Sequence, residues 1–270
     1  MRGAIGCQLN AWLVKIEEIK GMAEYHPLVS IITATYNPGA MLAKTQKSIE
    51  AQKHLDVEWV IVDGGSTDGT VDFLKNCRIK SFKWISEPDA GIYDAWNKGI
   101  AIAQGEWVIF MGAGDLISED GISICLGEIA KENSLPNLVT SQTRLVDCCG
   151  RVRRIMGAPF ELAKFEKNMN IAHVGALHHK SLFIKYGKFD VNYKIAGAYQ
   201  FLLRCRRGIK SIYIPIVGAD MLIGGVSDKY AAIFEAHMVR ARHCARDPYA
   251  SFRLAVAIIK RFIRPLTRGY

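Results

Sequence analysis

Four short runs of β-branched and apolar residues lie between residues 28 and 115, separated by stretches with helical spacing, and each ends in a turn. Leu28–Thr35 is followed by Asn37-Pro38-Gly39, and Val57–Val62 runs into Asp63-Gly64-Gly65-Ser66-Thr67-Asp68-Gly69. Ser81–Ser86 meets Glu87-Pro88-Asp89-Ala90-Gly91, and Glu106–Met111 ends in Gly112-Ala113-Gly114-Asp115. Strands alternating with helices at such short intervals predict βαβ units and a mostly parallel central sheet flanked by helices. Ligands of such sheets bind beyond the carboxyl ends of the strands. Asp63, the 87–91 turn and Asp115 all fall there, so the pattern predicts a site as well as an α/β fold.

The intervening helices are expected over 40–52, from Asp68 (a cap for free backbone amides) to Lys75, and up to Ala103. After Ile117 the pattern predicts a helix near 121–132 and a hairpin, Leu138–Val146 with Arg151–Ile155, across Asp147–Gly150. Helices near Ser181–Tyr186 and Ala198–Arg207 follow, then strands near Ser211–Ile216 and Met221–Ile223, then helices over 229–245 and 250–263. Trp59, Trp84, Trp96 and Trp107 are expected in the core, and His178-His179 at a strand end.

Of the 270 residues half are hydrophobic and 23% are charged, which excludes intrinsic disorder. The seven cysteines form no C-x-x-C pair, so reduced thiols fit better than a disulfide or zinc framework. No run of about 18 apolar residues occurs, so no transmembrane helix is predicted. Residues 1–26 read as a leader outside the fold, with Met22 as a second candidate start beside Met1. The organisation expected is a domain over 27–228, in two halves (27–117 and 118–228), and a basic helical tail over 229–270.

Neither G-x-x-x-x-G-K-[ST] nor a G-x-G-x-x-G after the first strand is present, so P-loop and dinucleotide sites are excluded. A carboxylate ending the second strand can accept bonds from a base or ribose. Asp115, beside small glycines, can approach a divalent ion. Mg²⁺ or Mn²⁺ held by one or two carboxylates plus substrate phosphates is a common arrangement. The residues therefore suggest a nucleoside diphosphate over the sheet edge, bridged by metal to Asp115.

The blocks Val29–Asn37, Val60–Thr70, Ser86–Gly99 and Gly105–Asp115, in that order, resemble the family-two inverting glycosyltransferases of the GT-A fold, above all those building bacterial surface polysaccharides. A fainter likeness continues from Ser181–Asp190 to Gly224–Ser227. The resemblance implies sugar transfer, with inversion, from a nucleotide-sugar donor to a hydroxyl of a lipid-linked or glycan acceptor. By it, Thr33, Tyr36 and Asp63 hold the nucleoside, Asp89, Asp94 and Lys98 border the donor pocket, and Asp115 is the last acid of a D-x-D motif that here reads Ala113-Gly114-Asp115.

Inverting transfer needs a general base for the attacking hydroxyl. The resemblance puts an Asp in a segment that here reads Lys194-Ile-Ala-Gly-Ala-Tyr-Gln-Phe-Leu-Leu-Arg204, with Ala198 at the base position and Gln200 for the following acid. His178, His179, Asp190 and Asp220 are substitutes by residue type alone. If the base is simply missing, Ala198→Asp raises transfer. The alternative is a nucleotide-sugar-binding partner protein that has lost catalysis.

From Arg240 to Tyr270 there are eight Lys+Arg and one acid, a net of +7 out of the chain's +9. Leu254, Ile258 and Phe262 share one helical face among Arg253, Lys260, Arg261 and Arg264. Such a helix suits an anionic membrane surface. The expected location is thus cytoplasmic, peripheral on the inner face of the cell membrane. The rest of the chain carries only +2 and no recognition motif, so no nucleic-acid partner is expected.

Overall fold

The computed structural model describes residues 28–52, 55–225, 230–244 and 255–256. The predicted leader and nearly all of the helix expected over 250–263 lie outside them.

Four parallel strands form the first half: β1 (Val29–Thr35), β2 (Val57–Asp63), β3 (Phe82–Ser86) and β4 (Trp107–Gly112), in the order β3-β2-β1-β4. The intervening helices are α1 (Met41–Glu50), α2 (Thr70–Asn76) and α3 (Ile92–Ile102). β1 is buried at every residue, which is why it reads as an unbroken apolar run without alternation. Ile32, Ala34, Val60, Val62, Val108 and Phe110 pack on one side of this sheet, and Val29, Ile31, Trp59, Ile61, Trp107 and Ile109 on the other.

The second half holds β5 (Leu116–Ile117), α4 (Gly121–Ile129), β6 (Leu138–Val146), β7 (Val152–Met156), α5 (Leu162–Phe165), β8 (Leu177–His179), α6 (Ser181–Tyr186), α7 (Gly197–Cys205), β9 (Ser211–Leu222) and α8 (Tyr230–His243). The sheet continues β4-β8-β6-β9-β5, with β7 on β6, through antiparallel β4–β8 and β8–β6 pairs and a parallel β6–β9 pair. β5, which follows β4 directly in sequence, is therefore the far end of the path and pairs with Ala219 and Asp220 of β9. This curl brings the end of β9 over the end of β4.

The hairpin and the helix before 245 lie where the pattern predicts them. The two strands expected over 211–216 and 221–223 are instead one, β9, whose pairing with β6 slips near Thr140–Thr143. Pro215 and Gly218 interrupt the apolar pattern there, and a bulge accommodates both without ending the strand. β5, α5 and most of β8 are too short to leave a periodic signal.

Candidate functional site

Four loops gather at the carboxyl ends of the parallel strands. Those after β1 and β2 are laced together: the Asn37 amide donates to Ser66 Oγ (2.7 Å), Asn37 Oδ1 accepts from the Thr67 amide (2.8 Å), and Asp68 Oδ2 accepts from the Gly39 amide (2.8 Å). Asn37 sits at φ 47°, a left-handed conformation that asparagine tolerates better than most residues. Asp68 also accepts from the Thr70 hydroxyl (2.5 Å), and that bond, with the Gly39 amide, holds its carboxyl below the usual carboxylate range.

Asp63 is fully buried; its Oδ2 accepts from the Ser66 amide (2.9 Å) and the Ser86 hydroxyl (2.7 Å), and its Oδ1 from the Ser66 hydroxyl. It ties the ends of β2 and β3 to the second loop, and direct contact with a ligand would require the Ser66 hydroxyl to be exchanged. Tyr36 is 67% exposed and stands beside Gly64. A Cβ on Gly64 would lie 2.7 Å from Asp89 Oδ2 and 3.5 Å from the Tyr36 ring, so glycine here leaves a narrow cleft between the two. Asp89 is half-buried, and its Oδ1 accepts from the Gly91 amide at 2.8 Å.

Thr33 does not belong to this cleft. It is fully buried, and its hydroxyl accepts the indole hydrogen of Trp59 at 2.9 Å, which makes it a core residue. Thr35 shares its face of β1 two residues on, at the strand end, and keeps a buried hydroxyl with no hydrogen-bond partner. Period-two alternation puts both threonines on one face, and only the position of the strand end separates them.

Asp94 and Lys98 border the turn and engage each other. Lys98 Nζ is 2.8 Å from Glu87 Oε1 and 3.6 Å from Asp94 Oδ2, and donates to the Pro88 carbonyl; Asp94 accepts the Ala90 amide at 3.0 Å. The Glu87 carboxylate, ahead of the other nearby acids, raises the Lys98 pKa. The pair latches the 87–91 turn to α3.

Asp115 lies beneath the end of β9. Its Oδ2 accepts the Gly112 amide (2.9 Å) and its Oδ1 the Leu222 amide (3.0 Å). Thr45 of α1 binds both the Asp115 carbonyl and the Gly114 amide, which fixes the loop. Gly114 is at φ 98°, and a Cβ there would meet Leu222 at 3.0 Å. Burial pushes the Asp115 carboxyl up to about 6 despite the two amides. A buried carboxylate short of counter-charge, each oxygen keeping a second lone pair, fits a divalent cation. Among the described residues no three His, Cys, Asp or Glu side chains gather, so Asp115 would supply one ligand and a diphosphate the rest.

Ala198 and Gln200 are both buried on α7, and Gln200 Nε2 lies 3.2 Å from His243 Nε2. The substitutes considered for the base are elsewhere or engaged. Asp220 is held by Arg144 in two bonds of 2.6 and 2.8 Å, and Asp190 accepts from the Asn192 amide and side chain. His178 is fully buried, with its pKa lowered to about 4 by desolvation. His179 pairs with Trp107 at the start of β4, the opposite end of the strand from the loops. Glu235, Gly64 and Thr35 escaped sequence reasoning. Glu235 lies 40 residues beyond its partner Ile195, with no local pattern linking the two.

A curled sheet with a parallel N-terminal half, a laced loop pair over its strand ends and a buried acid closing the fourth strand defines the GT-A class of sugar-nucleotide transferases. The chain belongs to glycosyl transferase family 2, whose profile matches residues 30–196, and it is a glycosyltransferase. It is 34% identical over 205 residues (74% of this chain and 77% of the relative) to the uncharacterized glycosyltransferase Rv1514c of Mycobacterium tuberculosis. It is 28% identical over 253 residues (90% and 94%) to the PGL/p-HBAD biosynthesis glycosyltransferase Rv2957 of the same species. Among solved structures, S. aureus TarS 1-349 in complex with UDP-GlcNAc superposes with a TM-score of 0.59 at 15% identity, covering 87% of this chain and 72% of that one. The mannosyltransferase PcManGT of Pyrobaculum calidifontis, in complex with GDP-Man and Mn²⁺, gives 0.58 at 17% identity, covering 93% and 78%. These two likenesses show the fold.

Proposed function

We propose that the chain transfers a sugar, with inversion, from a nucleoside-diphosphate sugar to a hydroxyl of a lipid-linked or glycan acceptor in the assembly of a bacterial surface glycan or glycolipid. The cleft between Tyr36, Gly64 and Asp89, with Asp115 on the neighbouring strand end, carries this reading. Tyr36 offers an exposed ring for the base, and Asp89 a carboxylate for base or ribose. Asp63, Asn37 and Ser66 keep the loops in register, and Asp94 with Lys98 fixes the turn that walls the cleft. Asp115 would hold Mg²⁺ or Mn²⁺, which when bound neutralises the leaving diphosphate.

The relatives named as PGL/p-HBAD biosynthesis glycosyltransferases support a role in the biosynthesis of a glycosylated product. The basic tail supports attachment to the inner face of an anionic membrane; among the described residues no helix is long and apolar enough to cross one.

A second reading, a nucleotide-sugar-binding protein without transfer, is favoured by Ala198 and Gln200, neither of which can take a proton at neutral pH. Thermal shift with UDP- and GDP-sugars, with and without Mn²⁺, followed by nucleotide release in the presence of acceptor, separates the two. Donor binding with release supports transfer. Binding without release supports the second reading, and a chain that binds no nucleotide-sugar refutes both.

A further inference from the structure

Ala198 leaves the N-terminal turn of α7 without its expected acid, yet a carboxylate from another helix binds the backbone that leads directly into that turn. Glu235, on α8, accepts the Lys194 amide through Oε1 (2.7 Å) and the amides of Ile195 (2.5 Å) and Ala196 through Oε2. A carboxylate has about four lone-pair positions. Three are filled, the fourth belongs to Oε1, and the residue is half-buried rather than sealed.

The segment that Glu235 grips also touches the wall of the donor cleft. Lys194 Nζ donates to the Ala90 carbonyl at 2.7 Å, and the Tyr93 hydroxyl, at the start of α3, donates to the Ile195 carbonyl at 2.5 Å. The Glu235 charge reaches Tyr93, whose pKa rises to about 12 mainly through burial and in smaller part through that charge. Glu235 thus stands beside the segment that joins the 87–93 turn to α7, bound to the amide of Ala196, two residues before Ala198.

We propose that Glu235 is the general base of this chain, standing in for the acid that Ala198 replaces. The inference rests on the transfer reading above. As the acceptor oxygen bonds to the anomeric carbon, its proton passes to Glu235 Oε1. The bond from that carbon to the diphosphate oxygen breaks, and its electron pair leaves on the nucleoside diphosphate. Glu235 then releases the proton to solvent. The three amides fix the carboxylate, so the base is positioned before the acceptor arrives.

The test uses the full chain with the UDP- or GDP-sugar that gives the largest thermal shift, and octyl glycosides or water as acceptor. Nucleotide release gives turnover, and calorimetry gives donor affinity on the same samples. E235A is expected to bind donor like the wild type while turnover falls roughly 10²–10⁴-fold, the usual contribution of a positioned base. Added formate is expected to restore part of that turnover. If E235A does not fold, E235Q keeps an oxygen for the amides but cannot take the proton, and the same loss is expected.

Turnover that falls only with the folded fraction, without response to formate, would make Glu235 a helix cap and overturn the proposal. A wild-type chain that binds donor but neither hydrolyses nor transfers it overturns the proposal while leaving the donor site standing. No binding of any nucleotide-sugar refutes the transfer reading itself.

Discussion

Gly64→Ala separates donor recognition from stability. Its amide donates to the Thr35 carbonyl at 2.8 Å, and its φ is not in the left-handed region, so alanine can adopt the same backbone. The added Cβ would lie 2.7 Å from Asp89 Oδ2 and 3.3 Å from its Cγ, closer than real contacts allow, so the carboxylate must swing away. That movement strains or breaks its bond to the Gly91 amide, a loss of about 1 kcal/mol. Replacing glycine by alanine also restricts the unfolded chain, which returns about 0.4–1 kcal/mol. The net change in stability is near zero, and Tm is expected to stay within about 2 °C. Donor binding has no such offset. The methyl fills the space between Asp89 and Tyr36, and a displaced Asp89 forfeits a charged hydrogen bond to the ligand worth about 1.5–3 kcal/mol. At about 1.4 kcal/mol per tenfold, donor affinity falls by roughly 10- to 100-fold. Calorimetric titration with the preferred nucleotide-sugar, beside a melting curve by circular dichroism, measures both. Unchanged affinity in a well-folded variant would mean that the donor does not enter between Tyr36 and Asp89.

Asp115 sets a pH dependence. Its folded-state pKa is raised to about 6 from 3.8, so stability from its neutral form is complete below the unfolded value and is lost as pH rises through the folded one. Between pH 4 and pH 7, without metal, wild type should lose about 2 kcal/mol relative to Asp115→Asn in denaturant melts; parallel pH profiles would contradict the burial argument. With donor present, Mn²⁺ should stabilise the wild type and not Asp115→Asn. Glu58 is fully buried, 2.9 Å from Lys83 Nζ, and also accepts the Ser30 hydroxyl and the Gly105 amide. Glu58→Ala leaves the Ser30 hydroxyl without this acceptor and Lys83 without its counter-charge, and should cost about 3 kcal/mol in urea melts, with donor affinity of the folded fraction unchanged. Deleting residues 250–270 removes five Lys+Arg and no acid, worth up to about 1 kcal/mol each at an anionic surface. Flotation with phosphatidylserine vesicles should lose the truncated chain while donor binding persists, and undiminished flotation would place membrane contact elsewhere.

Legibility in the sequence followed how local each feature is. The parallel half is legible because β1, β2 and β4 are buried along nearly their whole length and run into turns carrying Asn, Gly or Asp, so burial and turn chemistry coincide; β3, half-buried throughout, is marked mainly by the turn that follows it. The second half depends on long-range pairing. β8 has three residues and β5 two, and both exist only because β4, β6 and β9 are beside them. The two strands expected in β9 leave out 217–220, where Gly218 and Asp220 are poor strand formers in isolation, whereas a slip in register against β6 keeps them within one strand.

The same distinction applies to chemistry. Asp63 and Asp115 could be found because a carboxylate at a strand end stands out in one dimension. What each does depends on neighbours from other segments: Ser86 for the first, Leu222 and Thr45 for the second. Ala198 shows the opposite case, a gap at one position with a carboxylate supplied from α8. A function assigned by matching positions along the chain tests only whether a residue type survives at its usual place. Reactivity at the start of α7 depends on which carboxylate stands there, and the fold can deliver one from a helix that no linear motif includes. Loss of a motif acid is therefore evidence about that position, and becomes evidence about catalysis only once the residues packed around it have been removed in turn.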